Sequence, residues 1–230
     1  TMAALPNRRK IIATRVEHPA VLTVCREMAN RGYTVVELGV DKSGRLDMAE
    51  LETQLDDNTA LVTIMYANNE TGNLFPVENI ARLVSSKGII FHTDAVQAVG
   101  KIPLDLSNSA IDLLSISGHK LHAPKGVGVL YVKKGTRLAP FMLGGHQEAG
   151  RRAGTENVPG IIGLGKACEL AAKNMGEEND RVRKLRDKLE NALLKNCLGA
   201  RLNGDRDNRL PNTTNISFEC IEGESILLML

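Results

Sequence analysis

Hydrophobic and polar positions alternate between two periods along most of the chain. Short runs rich in β-branched residues predict strands, and the stretches between them place apolar residues three or four apart, which predicts amphipathic helices. The predicted helices cover residues 19–30, 48–55 and 77–84, and the predicted strands cover residues 11–16, 34–38, 61–65, 88–91, 113–116 and 128–132. Strands and helices that alternate in this way are typical of an α/β fold, so we expect a mostly parallel sheet with helices on both faces.

The pattern changes in the last third of the chain. Residues 158–170 predict one helical stretch, and the highly charged residues 177–195 predict a second, with four apolar side chains on one face: Val182, Leu185, Leu189 and Leu193. A turn and a strand-like segment follow within residues 211–218. We therefore predict a large domain over residues 1–173, and a connecting helix with the start of a smaller α+β domain over residues 174–230.

Composition narrows the class of protein. The chain has 230 residues, of which 43% are hydrophobic and 24% charged, as in a globular domain. A net charge of +2 argues against nucleic acid or an anionic membrane as the main partner. No apolar run approaches the roughly 18 residues that a membrane-spanning helix needs. The four cysteines are scattered without a CxxC pair, which favours a reducing compartment, so the expected location is the cytoplasm.

The two ends of the chain are unusual. It opens with Thr1 and Met2, and it stops within an apolar run at residues 226–230 that carries no helix stop signal. We expect an internal fragment of a longer protein, lacking both termini.

Polar side chains follow four of the predicted strands. His18 follows the first strand, Asn69 the third, Asp94 the fourth and Lys120 the fifth. Ligands of an open parallel sheet bind outside the carboxyl ends of its strands. We therefore expect an imidazole, an amide, a carboxylate and an amine to meet in one crevice.

Each of these side chains has two interpretations. Lys120 is either a surface lysine or, with a partly buried stem, a Schiff-base lysine. Asp94 is either a turn or N-cap carboxylate or the partner of the ring nitrogen of pyridoxal phosphate. His18 either caps a helix or stacks on a ring, and Asn69 either forms a turn or bonds a ring substituent.

Other cofactor motifs are missing from the sequence. No GxGxxG follows the first strand and no GxxxxGK[ST] occurs, which argues against dinucleotide and P-loop sites. His119 and His122 are three residues apart but flank Lys120 just past a strand, and no cysteine or histidine spacing fits zinc. We expect no metal site.

Several segments in the same order resemble the cysteine desulfurases of the nitrogen-fixation type, which are class V, fold-type I pyridoxal-phosphate enzymes. The segments are residues 68–72 (NNETG), 92–97 (HTDAVQ), 115–120 (SISGHK), 152–157 (RAGTEN), 209–213 (RLPNT) and 222–224 (EGE). The resemblance covers essentially the whole chain. It implies the large domain of a pyridoxal-phosphate-dependent transferase and conversion of L-cysteine to L-alanine. It also implies an enzyme persulfide that passes its sulfur to an iron–sulfur scaffold protein.

The resemblance also implies roles for individual residues around the cofactor ring. Lys120 matches the lysine that binds the cofactor covalently and then transfers a proton. Asp94 matches the partner of the pyridine nitrogen, and His18 matches the residue that stacks on the ring. Asn69 and Gln97 match hydrogen-bond partners of the phenolic oxygen of the ring.

Three further residues match ligands of the cofactor phosphate. Ser117 and His119 correspond to ligands within the same subunit. Thr155 corresponds to a ligand that a second subunit lends, which implies a homodimer.

The chain departs from the family pattern in what it lacks. The nucleophilic cysteine of the family lies in a loop after the helix that begins near residue 224, and this loop is not present. The arginine that binds the substrate carboxylate and the upstream threonine turn are not present either. The four cysteines fit small core residues or incidental thiols: Cys25, Cys168, Cys197 and Cys220. The fragment is expected to be inactive although its parent is an enzyme. The alternatives are a selenocysteine lyase or other class V β-eliminating lyase, and a non-catalytic truncated remnant.

Overall fold

A six-stranded sheet forms the centre of the computed structural model, which describes residues 2–230. The strands lie in the order β2-β1-β3-β4-β5-β6, and only β6 runs antiparallel to its neighbour. Their bounds are β1 Lys10–Thr14, β2 Thr34–Leu38, β3 Thr59–Thr63, β4 Ile90–Asp94, β5 Leu113–Ser117 and β6 Gly128–Val132. The predicted mostly parallel sheet is confirmed.

Within residues 2–230, five α-helices accompany the sheet: α1 Pro19–Asn30, α2 Met48–Gln54, α3 Val77–Ser86, α4 Val158–Asn196 and α5 Gly223–Met229. A 3-10 turn, Gly118–Leu121, follows β5, and a second sheet contains only β7 Arg201–Leu202 and β8 Ile216–Ser217. Among residues 2–230, no helix combines the length and the apolar character that crossing a membrane requires.

Strand β1 shows why helices cover both faces of the sheet. Ile12 belongs to a large core cluster that includes Leu51 of α2 and Ile80 of α3. Its neighbour Ile11 points to the other face and packs in a cluster with Cys25 of α1. Successive strand residues face opposite sides, so a strand that is apolar throughout needs a helix on each side.

Four strands end differently from the prediction: β1 and β3 each end two residues early, β4 ends three residues late and β5 one residue late. Strand β1 stops at Thr14 because the next residues turn, with the amide of Glu17 donating to the carbonyl of Thr14. Strand β4 starts after the positive-φ turn at Gly88 and continues to Asp94, which is paired in register with Ser115 of β5. Asp94 is therefore the last residue of a strand, whereas the prediction placed it in the segment beyond the strand.

The two helical stretches predicted over residues 158–170 and 177–195 form one helix of 39 residues, α4, so the predicted interruption is wrong. The residues between them are mostly good helix formers and include no proline, so nothing stops the helix. Leu185 and Leu189 are 55% and 54% exposed. About half of each of these two side chains is thus left uncovered within the described part of the chain, whereas Val182 and Leu193 of the same predicted face are half-buried. The predicted domain boundary falls inside this helix and stays a prediction.

Two glycines of α4 provide a matched test of how tightly α4 packs against the loop after Lys120. A Cβ on Gly163 would lie 2.8 Å from Cδ of Pro124, whereas a Cβ on Gly165 would meet nothing within 4 Å. We expect Gly163→Ala to lower the free energy of unfolding by about 1–2 kcal/mol, because the rigid proline ring cannot yield. Gly165→Ala should instead raise it by up to about 1 kcal/mol. Urea unfolding of both variants checks this, and equal effects would contradict the close contact.

Candidate active site

The carboxyl ends of four strands place the predicted site residues at one edge of the sheet. Asp94 ends β4, and β5 beside it leads directly into the 3-10 turn that carries Lys120. His18 follows β1 at the start of α1, and Asn69 follows β3. All four residues therefore lie at the carboxyl ends of strands, but the cleft that Lys120 lines includes none of the other three. Their meeting in one crevice and their chemical roles stay predictions.

Lys120 is an exposed residue, whereas the strand before it predicted a partly buried stem. The 3-10 turn buries its neighbour Leu121, in a cluster with Ala123 and Leu164 of α4, and leaves Lys120 outside. The Lys120 side chain lines a cleft of about 860 Å³ between this turn and α4. Lys120 is therefore accessible to a ligand in this cleft.

The backbone on either side of Gly118 fixes the start of the turn. The Gly118 amide donates to the Val127 carbonyl at 2.9 Å, and a Cβ on Gly118 would lie 2.9 Å from that same oxygen. No side chain fits at this position. The turn ends at His122, which has a left-handed backbone with φ 63°. These contacts hold the segment that presents Lys120.

Asp94 uses part of its carboxylate in a turn. Its Oδ1 accepts a hydrogen bond from the Val96 amide at 2.9 Å, and its carbonyl accepts one from the Tyr66 amide at 2.8 Å. The structural interpretation of Asp94 is thus observed directly. It does not exclude the second one, because a half-buried carboxylate has further acceptor positions.

His18 is also a capping residue. Its Nδ1 accepts a hydrogen bond from the Ala20 amide at 3.1 Å at the start of α1, and the residue is exposed. This contact orients the ring and leaves Nε2 on the opposite edge. Capping and ring stacking are therefore compatible for the same imidazole.

Asn69 is not the residue that builds its turn. The neighbouring Asn68 does so, because its Oδ1 accepts hydrogen bonds from the amides of Glu70 and Thr71, each at 2.9 Å. Asn69 is half-buried, and its Nδ2 donates to Glu70 Oε1 at 2.7 Å. Asn69 is therefore available for a ligand without loss of the turn.

Ser117 and His119 form a pair, and Thr155 lies apart from them. The Ser117 hydroxyl and the His119 Nδ1 are 2.7 Å apart at the start of the 3-10 turn. Thr155 is exposed in the loop before α4, and no hydrogen bond within residues 2–230 joins it to this pair. One copy of the chain therefore assembles two of the three predicted phosphate ligands.

Gln97 binds a residue that the sequence analysis missed. Lys101 Nζ donates to the Gln97 carbonyl at 3.0 Å and to Oε1 of the same residue at 3.2 Å. Burial, and then the positive charge of Lys120, lower the pKa of Lys101. Both lysines line the same cleft, and their two positive charges make it attractive for an anion. The spacing of four residues between Gln97 and Lys101 was the available signal.

Metal ligands do not cluster in the structure. Nowhere in residues 2–230 do three or more His, Cys, Asp or Glu side chains come together in a way that could hold a metal ion.

The family model for class V aminotransferases matches residues 1–230. The chain belongs to the class V aminotransferase family. It is 59% identical to a cysteine desulfurase of a Nostoc species over 229 residues, which are 100% of this chain and 57% of that protein. It is 60% identical to the cysteine desulfurase NifS of Azotobacter vinelandii, over the same shares of both chains. A solved structure described as a NifS-like protein matches with a TM-score of 0.93 and 42% identity, over 97% of this chain and 61% of that one. This class V chain thus spans a little over half the length of the curated relatives it matches.

Two further polar residues of this class V chain lie at the same edge of the sheet and were missed in the sequence. Glu17 is 4% exposed, and burial raises its pKa to about 7. His92 bonds Thr63 of β3 through Nδ1 at 2.8 Å and Ser115 of β5 through Nε2 at 2.9 Å, and burial lowers its pKa to about 4. His92 is therefore a neutral side chain that connects three strands, two residues before Asp94 in β4. The signal for His92 was its spacing of two from Asp94, which puts both on one face.

Proposed function

We propose that this chain forms the pyridoxal-phosphate-binding part of a cysteine desulfurase of the nitrogen-fixation type. The whole protein would convert L-cysteine to L-alanine and pass the sulfur, as an enzyme persulfide, to an iron–sulfur scaffold protein. The observation that carries the proposal is the placement of Asp94 and of the turn bearing Lys120 at neighbouring strand ends. Relatives named cysteine desulfurase at 59% and 60% identity over the whole chain support it.

The side chains at this edge fit the chemistry of pyridoxal phosphate. The hydroxyl and imidazole of Ser117 and His119 lie 2.7 Å apart, in the turn that carries Lys120, and can bind phosphate oxygens. The carboxylate of Asp94 ends the adjacent strand and suits a protonated ring nitrogen. These side chains thus offer partners for the phosphate group and for the ring nitrogen of the cofactor.

Each residue of the candidate site has a separate role in this proposal. When bound, pyridoxal phosphate supplies an electron sink that stabilises negative charge at the substrate α-carbon. Asp94 holds a proton at the ring nitrogen, and His18 packs on the face of the ring. Lys120 binds the cofactor and then takes the proton from the α-carbon of the substrate. Asn69 and Gln97 hydrogen-bond the phenolic oxygen.

A second copy of the chain completes the site in this proposal. Thr155 of the partner subunit would join Ser117 and His119 on the phosphate. The strongly exposed apolar residues of the loop after β6, Phe141 (97%) and Leu143 (82%), favour burial against another subunit. All four cysteines are free thiols, which supports a reducing compartment such as the cytoplasm.

Loss of Lys120 is the decisive test. Addition of pyridoxal phosphate to the chain should give a visible absorption band, and Lys120→Ala should abolish it because the covalent link to the cofactor is gone. Lys125→Ala is the matched control, since Lys125 is an exposed lysine of the following loop, and this variant should keep the band. Absorption spectra and the mass of the Lys120 peptide after borohydride reduction check the result. A folded chain without a band, or a band that survives in Lys120→Ala, would contradict the proposal.

A further inference from the structure

Glu17 occupies an unusual position between the candidate site and the core. Its Oε1 accepts hydrogen bonds from the Thr14 hydroxyl at 2.7 Å and from the Met65 amide at 2.9 Å. Its Oε2 is buried and has no hydrogen-bond partner among the described residues. The carboxyl group thus joins the end of β1 to the residues just past β3, one residue before His18.

A negative charge is poorly tolerated at this position. A buried carboxylate whose second oxygen lacks a donor is strongly disfavoured, whereas the neutral acid can keep both bonds that Oε1 accepts. Asp94 lies close to Glu17, because the Met65 amide donates to Glu17 and the next amide, that of Tyr66, donates to the Asp94 carbonyl at 2.8 Å. Asp94 from β4 and Cys25 from α1 are the titratable groups that act on Glu17, and neither carries positive charge. Burial raises the pKa of Glu17 to about 7, the bonds from Met65 and Thr14 oppose this rise, and Asp94 adds to it.

We propose that Glu17 is a positioning residue of the candidate site, which as a neutral acid ties β1 to β3 and leaves Asp94 as the single nearby negative charge. When Glu17 loses its proton, a second negative charge joins Asp94 and raises the proton affinity of any group that Asp94 binds. The inference rests on the proposed function only in so far as that group is the ring nitrogen of the cofactor. Glu17 acts through Asp94 and through the segment that carries His18.

The first arm of the test needs no cofactor. The carboxyl carbon of Glu17, labelled with carbon-13 and assigned by its loss in Glu17→Gln, is followed by NMR as a function of pH in the full chain. The expected midpoint is about pH 7. In Asp94→Asn it should fall by roughly half a pH unit, because a nearby negative charge is removed. Asp57→Asn is the control, since Asp57 is an exposed carboxylate before β3, and should leave the midpoint unchanged.

Two results of this arm would overturn the inference. A midpoint close to the ordinary glutamate value of 4.5 would show that the buried acid is not held neutral. A raised midpoint that Asp94→Asn does not move would show that the two carboxyl groups are not coupled. Both results can be read whether or not the chain binds pyridoxal phosphate.

The second arm uses the loaded chain and separates positioning from a purely structural role. Glu17→Gln keeps an oxygen for Thr14 and Met65 but cannot ionise. The visible band of the bound cofactor should show one transition near neutral pH that is lost in Glu17→Gln. An unchanged pH profile in this variant would overturn the inference. If no Lys120-dependent band forms at all, the proposed function fails, and the first arm still decides the coupling of Glu17 to Asp94.

Discussion

Replacement of Arg209 by methionine is expected to lower the free energy of unfolding by about 3–5 kcal/mol. Arg209 forms an ion pair with Glu190 of α4 at 2.7 Å, and both side chains are 1% exposed. Thr214 also donates a hydrogen bond to the Glu190 carboxylate, at 2.5 Å. Burial by itself raises the pKa of Glu190, but the hydrogen bonds from Arg209 and Thr214 outweigh it, and the net pKa is lowered. Removal of the guanidinium therefore leaves the charged Glu190 carboxylate buried without its buried partner.

Two further variants separate this effect from a general loss of positive charge. Arg206 also lies near Glu190, at 3.7 Å, but its side chain is 60% exposed, so Arg206→Met should cost less than about 1 kcal/mol. The double variant Arg209→Met with Glu190→Leu should recover much of the loss, because no charge is then buried alone. Urea unfolding gives all three values. Similar losses for Arg206→Met and Arg209→Met would show that the buried pair is not the cause.

Local signals were enough to predict several elements to the residue. Helix α1 begins at Pro19 after the capping residue His18, and β6 covers the predicted residues 128–132. In both cases the information lies within a few neighbouring positions. The strand ends could likewise be predicted to bring Asp94 and Lys120 to one edge, because parallel strands share the direction of their carboxyl ends.

The missed features depend on partners that are distant in the sequence. Burial raises the pKa of Glu17, and the Met65 amide that donates to it, from 48 residues away, only partly opposes the rise. Glu190 is charged because Arg209, 19 residues on, packs against it. The sequence shows a carboxyl group at both positions, but only tertiary packing decides whether that group is protonated or is paired with a cation. The exposure of Lys120 is set in the same way, by the burial of Leu121 next to it.

Glu17 and His92 are expected to give opposite pH dependences of stability that cancel in the native protein. His92 has its pKa lowered from 6.5 to about 4 by burial, so between these two values the unfolded chain binds one more proton and stability falls as the pH falls. Glu17 has its pKa raised from 4.5 to about 7, so between these two values the folded chain holds one more proton and stability falls as the pH rises. Each slope is about 1.4 kcal/mol per pH unit where both groups are shifted.

Removal of one group should therefore expose the slope of the other. Between about pH 5 and pH 6, the unfolding free energy of Glu17→Gln should rise by about 1 kcal/mol relative to the native chain, because the His92 slope is no longer opposed. His92→Asn should show a relative fall of similar size, even though the variant also loses a hydrogen bond and is less stable at every pH. Urea unfolding of the three proteins at both pH values measures the differences, in which the contributions of all other groups cancel. Parallel pH profiles for the native chain and Glu17→Gln would mean that Glu17 is ionised in the folded state, because only a carboxyl group that keeps its proton on folding can oppose His92.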